Sequence, residues 1–284
     1  MAASINSYIN IITFLLTTLF YYLALKPTIT YADITNPEKF KSYSQNNYIF
    51  LAIYMFSVII IQFIVNASII SANCGGSIKE NIGASGLLTF IPWTLIFGAV
   101  ILVLSMYPGF KSAFSDVVGY FYVSGSANSL LTELLINRSV EDNLDDNTSS
   151  QQRKKLEDAA DAIVKICGNT SILINQMVPS NFAEYWNVLK PLMKPQYQHD
   201  NPESIALRNE LFDVVTTRDN VGEAMWFVYT GILLCSIVQL KINTRGCTSS
   251  SETMERNYKS FLEKESKNEI TQKQLLDTNY VITN

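Results

Sequence analysis

Four long apolar runs separated by polar stretches organise this chain. No Asp, Glu, Lys or Arg occurs from Tyr8 to Leu25, from Asn46 to Ser77, from Ile82 to Gly109 or from Ala224 to Leu240. Each run can supply roughly 17–25 residues of helix, which crosses about 30 Å of hydrocarbon. They predict four transmembrane helices, near 8–25, 47–70, 87–107 and 222–240. Met1 to Asn10 carries no basic residue, and the first run ends in Lys26-Pro27 rather than at a small-residue cleavage site. It therefore reads as a retained helix and not as a signal peptide.

Inside the second run, Gln62 and Asn66 stand one turn apart on one face. In hydrocarbon such amides bond to a neighbouring helix, so both are predicted interhelical contacts. Pro92 predicts a kink in the third span. Tyr21 and Tyr22 near the end of the first span read as an interfacial aromatic pair, and Trp226 and Tyr229 mark the start of the fourth. Glu223 is the one acid at the edge of a span and is expected in the headgroup zone.

Between the third and fourth runs the pattern changes. Phe114, Val117, Val118, Phe121 and Tyr122 recur at helical spacing and predict an amphipathic helix that lies on the membrane surface or on a partner. Ser124-Gly125-Ser126 is expected to break it, and a second short helix carries Leu130, Leu131, Leu134 and Leu135. SVEDNLDDNTSSQQ reads as a solvated acidic loop, without the glycine and spacing of a calcium loop. A helix is predicted over 151–167, and SILINQMV reads as a strand or extended piece. Ser180 is the expected N-cap of a helix through FAEYWNVL that Pro191 and Pro195 end, and Asn201-Pro202-Glu203 is a second start signal. Beyond 250, Glu255/Lys259, Glu263/Lys267 and Glu269/Lys273 at i,i+4 predict a helix.

The expected architecture is mainly α: a polytopic membrane protein with about four transmembrane helices and an α-rich extramembrane domain between the third and fourth. Residues 1–107 hold three spans with short loops, 108–221 the domain, 222–240 the fourth span, and 241–284 a polar, partly helical tail.

Composition agrees with this class. Charged residues make up 16% of the 284, below the roughly 25% of soluble domains, and apolar residues 48%. The net charge of −4 gives no reason to expect direct nucleic-acid binding. Four crossings put both chain ends on one side, together with the loop 71–86. Basic residues near the helix ends number six on the opposite side against four on this one, a small bias toward a cytosolic 108–221. Three Asn-X-Ser/Thr tripeptides at Asn137, Asn147 and Asn169 point the other way.

Of the four cysteines, Cys235 lies inside the fourth span and Cys167 in the 108–221 segment. Cys74 in NCGG and Cys247 in NTRGC each follow a span by a few residues, at similar height on one side. There is no CxxC motif, and the one histidine, His199, falls in the opposite segment, so redox and zinc readings fail. A Cys74–Cys247 disulfide joining the second and fourth spans is the reading left, with two free thiols as the alternative. No Gly-rich phosphate loop, nucleophile elbow or His/Cys/carboxylate cluster is found. No catalytic, cofactor-binding or metal-ligating residue is assigned, and no enzyme activity is expected.

Three stretches carry a resemblance: PGFKSAFSDVVGYF after the third span, SILINQMVPSNFAEYW before the last, and GEAMWFVYTGILLCSIVQLKINTRGC across it. Over roughly residues 70–250 the chain resembles a family of inner-membrane or minor capsid proteins of nucleocytoplasmic large DNA viruses. Phe110 and Asp116 stand where the family pattern has Trp and Asn. The resemblance implies a structural protein of the virion's internal membrane, derived from host endoplasmic reticulum, that links this membrane to minor and major capsid proteins during assembly. Lipids, capsid proteins and further copies of itself are the implied partners, and Phe110, Lys111, Phe114, Phe121 and Trp186 are the candidate capsid contacts. A transporter or channel subunit would instead use Gln62 and Asn66 as its polar path. A component of virion uptake and membrane fusion would need 108–221 outside the virion.

Overall fold

The computed structural model describes residues 8–74, 78–135, 170–245 and 251–278. The expected acidic loop, the 151–167 helix, Cys167 and Cys247 fall outside these residues. What is described is helical, with one isolated antiparallel bridge between Leu135 and Met193 in place of any strand.

In chain order the α-helices are α1 Ile9–Phe20, α2 Tyr31–Ile34, α3 Pro37–Cys74, α4 Ile78–Pro92, α5 Gly98–Met106, α6 Ser112–Phe114, α7 Tyr120–Leu134, α8 Thr170–Gln176, α9 Phe182–Leu189, α10 Pro202–Thr244 and α11 Ser251–Thr278. Three single π turns interrupt them among the described residues: Tyr21–Leu25, Trp93–Phe97 and Ser115–Gly119. Pro92 lacks an N–H and cannot continue the i→i−4 ladder. The π turn that follows it is the local answer to that break, and the helix resumes at Gly98.

Among the described residues, three helical stretches are long and apolar enough to cross a membrane: Pro37–Cys74 with 38 residues, Asn81–Met106 with 26 and Pro202–Thr244 with 43. The apolar helix Ile9–Leu25 is shorter. At about 1.5 Å per residue, α3 and α10 are each about twice the length that a ~30 Å hydrocarbon core requires. Their extra turns have local causes. Asn36 Oδ1 accepts the backbone N–H groups of Glu38 and Lys39 at 3.0 and 3.2 Å, with Pro37 next to it. So α3 begins ten residues before the expected span. Asn201 Oδ1 likewise accepts the Ser204 N–H at 2.8 Å, and α10 starts at Pro202 as its start signal predicts.

The chain forms two compact units: Met1–Phe14, Ile59–Thr94 and Leu233–Asn284 make one, and Leu15–Val58 and Leu95–Ile232 the other. The first has a small apolar cluster of Ile69, Ile70, Val238 and Ile242. Its tail helix α11 is exposed wherever its side chains are described, with a Glu255–Lys259 ion pair of 2.9 Å.

The second unit has the main core, where Leu130, Leu134, Ile174, Phe182, Trp186 and Leu211 pack together with their neighbours. Several expectations change here. α7 runs unbroken through Ser124-Gly125-Ser126, because Val123, Ala127, Leu130, Leu131 and Leu134 form one buried stripe, and packing outweighs the low helix propensity of one glycine. SILINQMV is not a strand: Thr170–Gln176 is helix, burying Leu173 and Ile174. The N-cap position of α9 is Asn181 rather than Ser180, without a side-chain cap bond; the Asn181 side chain instead accepts the Val178 N–H and donates to the Gln176 carbonyl, bridging α8 to α9. A second cluster, Tyr21, Tyr54, Phe97 and Phe227, joins four helical segments, with Tyr21 stacked on Tyr54 at 4.4 Å between centroids.

Candidate functional site

Within the first unit the polar residues of the apolar helices converge. Asn10 donates to Asn66 Oδ1 at 2.8 Å and to Gln239 Oε1 at 3.2 Å. Asn66 in turn donates to Thr89 Oγ1 at 2.8 Å. Gln62 donates to the Asn10 carbonyl at 2.9 Å and to Thr13 Oγ1 at 3.3 Å. The free thiol of Cys235 lies 3.7 Å from Gln62 Oε1. Gln62 and Asn66 are therefore interhelical contacts, as their spacing on an apolar face predicts, and α1, α3, α4 and α10 are tied by one amide network. Cys74 closes α3, half-buried. Its expected partner Cys247 lies outside the described residues.

Within the second unit, charges from three separate parts of the chain meet. Glu223 accepts from Lys26, which follows the π turn after α1, and from Tyr22 Oη at 3.0 Å. Its other oxygen lies 2.8 Å from Lys111 Nζ. Lys111 also donates to Asp219 at 2.9 Å. The side chains of Lys26, Lys111, Asp219 and Glu223 are 7–14% exposed. The cluster is neutral, two lysines against two carboxylates, which is what burial demands of ionised groups. Burial by itself would pull the Lys111 ammonium down, but Glu223 and then Asp219 outweigh it and hold its pKa above the ordinary lysine value.

The stretches flanking these charges are fitted closely. A Cβ on Gly119 would lie 2.5 Å from the Arg218 carbonyl oxygen, and one on Gly222 2.6 Å from Ser115 Cβ. The Ser115–Gly119 π turn thus rests directly on the α10 backbone. Arg218, 1% exposed, donates to the Ile174 carbonyl and to Asn175 Oδ1, and Asn175 donates to the Asp116 carbonyl at 3.0 Å. Phe114 packs on Trp226 at 5.1 Å, and Trp226 Nε1 donates to the Phe110 carbonyl at 2.9 Å. PGFKSAFSDVVGYF, SILINQMV and GEAMWFVYTG, distant in the chain, form one interface.

No family model, characterised protein or solved structure matches this chain. Its function is therefore argued from the arrangement itself.

The five candidate contact residues divide. Phe110 and Phe121 are exposed, at 54% and 82%, and are joined by Val117 and Tyr122. Lys111 is not a surface contact; the two carboxylates hold it in the buried cluster. Trp186 is 1% exposed, because α9 turns it into the core beside Phe182. Phe114 is half-buried against α10. Two further expectations change for the same reason. Tyr21 and Tyr22 face inward, toward Tyr54 and Glu223, rather than forming a lipid-facing belt, and Glu223 is buried among its partners rather than solvated in the headgroup zone.

Lys26, Asp219 and Arg218 are residues to which sequence reasoning gives no role, and it places Glu223 only in the headgroup zone. A signal for three of the charged groups existed: Lys26 and Lys111 follow two apolar runs and Glu223 precedes a third, so all three fall at run boundaries. Among the described residues no group of three or more His, Cys, Asp or Glu side chains could hold a metal ion.

Proposed function

We propose that this protein is a structural component of a virion's internal membrane. Four helices, Ile9–Leu25 counted among them, hold it in lipid. The α-rich region 108–221 is the extramembrane domain that links this membrane to minor and major capsid proteins during assembly. The observation that carries this reading is the continuity of α10. It is one uninterrupted helix whose early residues Leu207, Leu211 and Phe212 are part of the main core and whose residues from Ala224 to Leu240 are an uncharged apolar run. The exposed row Phe110, Val117, Phe121 and Tyr122 supplies an apolar face for a capsid protein.

Contact among PGFKSAFSDVVGYF, SILINQMV and GEAMWFVYTG, the stretches on which the resemblance to viral membrane proteins rests, supports the same reading. The transporter reading has less support, because the amides of Gln62 and Asn66 are engaged with Asn10, Thr13 and Thr89. The test is extraction of purified virions with mild detergent. The protein is expected to stay with the capsid shell after the lipid is removed, and its release as free monomer overturns the assignment.

A further inference from the structure

A cavity of about 170 Å³ lies beside the buried charge cluster. Lys26, Lys111, Asp219 and Glu223 line it together with Phe40, Tyr48, Leu51 and Leu104. Tyr48 and Phe40 are 55% and 41% exposed, so the lining reaches the surface along α3. Two further lining atoms, Asn47 Oδ1 and Thr216 Oγ1, are buried with no hydrogen-bond partner. A buried acceptor of this kind is destabilising unless something donates to it. The cavity therefore offers charged, polar and apolar lining to one occupant, as an amphipathic molecule would use.

We propose that this cavity binds the headgroup of a phospholipid, and specifically a zwitterionic headgroup with a primary ammonium, phosphoethanolamine. The charged lining is already neutral, so an occupant without net charge keeps the buried site balanced, whereas a lone anion or cation would add an uncompensated charge. Each lysine ammonium has three N–H donors; Lys26 directs one at Glu223 and Lys111 directs two at Asp219 and Glu223, which leaves donors for a phosphate. The Thr216 hydroxyl adds another. Asn47 Oδ1 accepts only, so it pairs with an ammonium N–H that ethanolamine has and a quaternary choline lacks. The acyl chains leave past the exposed Tyr48 and Phe40. At about 30 Å³ per water the same space would take about five or six waters, which is the competing occupant. The inference rests on reading these helices as membrane-spanning and is independent of the virion assignment.

The test uses full-length protein in detergent, equilibrated with vesicles of equal parts phosphatidylethanolamine and phosphatidylcholine and read by native mass spectrometry. One phosphatidylethanolamine per chain is expected, favoured about tenfold over phosphatidylcholine, the effect of roughly one charge-assisted hydrogen bond. Thr216→Val and Asn47→Leu should each lower retention several-fold while helicity and thermal midpoint hold; two variants are made so that one misfolded protein does not decide the outcome. Equal retention of both lipids, unchanged retention in the folded variants, or a chain carrying no lipid overturns the proposal, the last meaning that water alone fills the cavity. Soluble phosphorylethanolamine should compete poorly. If it competes as well as the lipid, the apolar mouth has no role and the lipid source is wrong.

Discussion

Gly222 and Ser115 meet so closely that a Cβ on Gly222 would lie 2.6 Å from the Ser115 Cβ and 2.8 Å from its backbone nitrogen. The second contact is to backbone, so no side-chain rotation relieves it. Gly222→Ala must push the Ser115–Gly119 π turn off α10, and Gly119→Ala must do the same against the Arg218 carbonyl. Each is expected to destabilise by about 1–3 kcal/mol, the usual cost of overpacking. Tryptophan fluorescence during denaturation in detergent reads the loss. A thermal midpoint unchanged in both variants would mean that the two segments are not in contact.

Glu223 is the common acceptor of Lys26, Lys111 and Tyr22. Glu223→Gln leaves two lysines buried around one remaining carboxylate. Breaking a buried pair on one side costs about 3–5 kcal/mol, so the variant should fold poorly. Lys26→Met in the same chain restores neutrality and should recover much of the loss. A double variant no better than Glu223→Gln alone would show that the charges act independently.

Lys111 links this cluster to pH. Its folded pKa is raised by Glu223 and Asp219 against the pull of burial, relative to about 10.4 when unfolded. A raised pKa means that the stabilisation is complete below the unfolded value and is lost as pH rises through the folded one. The stability gap between the wild type and Lys111→Met should stay level up to about pH 10 and narrow above it. A gap that widens with alkali would reverse the assigned sign.

Asn66 joins Asn10 to Thr89. Asn66→Leu should cost about 0.6–1.7 kcal/mol, the range for hydrogen bonds between membrane helices, measured as a shift in denaturation in micelles. Ion or solute flux in liposomes should be at background for both proteins. A wild-type flux that Asn66→Leu abolishes would favour the transporter reading instead.

The expected Cys74–Cys247 bridge is tested by mass tagging with maleimide in denaturant. Reduction should add two tags per chain, and loss of that increment in both Cys74→Ser and Cys247→Ser, but not in Cys167→Ser, identifies the pair. An equal tag count with and without reductant would show two thiols.

The features legible in the sequence are those governed by neighbours along the chain. Run length and absence of charge make α3, the Asn81–Met106 stretch and α10 long enough to cross a membrane, and Asn201-Pro202-Glu203 starts α10 because capping is a matter of adjacent residues. Gln62 and Asn66 were readable as interhelical groups because an amide on an apolar face must find a partner. What only the tertiary structure decided was which partner, and which way each side chain turns. Lys26, Lys111 and Glu223 are 85 to 197 positions apart in the chain, and nothing local says that their segment ends coincide. The same holds for Trp186 and Tyr21, which look like surface aromatics until Phe182 and Tyr54 are placed beside them. Helices form from interactions within a few residues, whereas burial of a charge or a ring depends on what the distant chain brings to it.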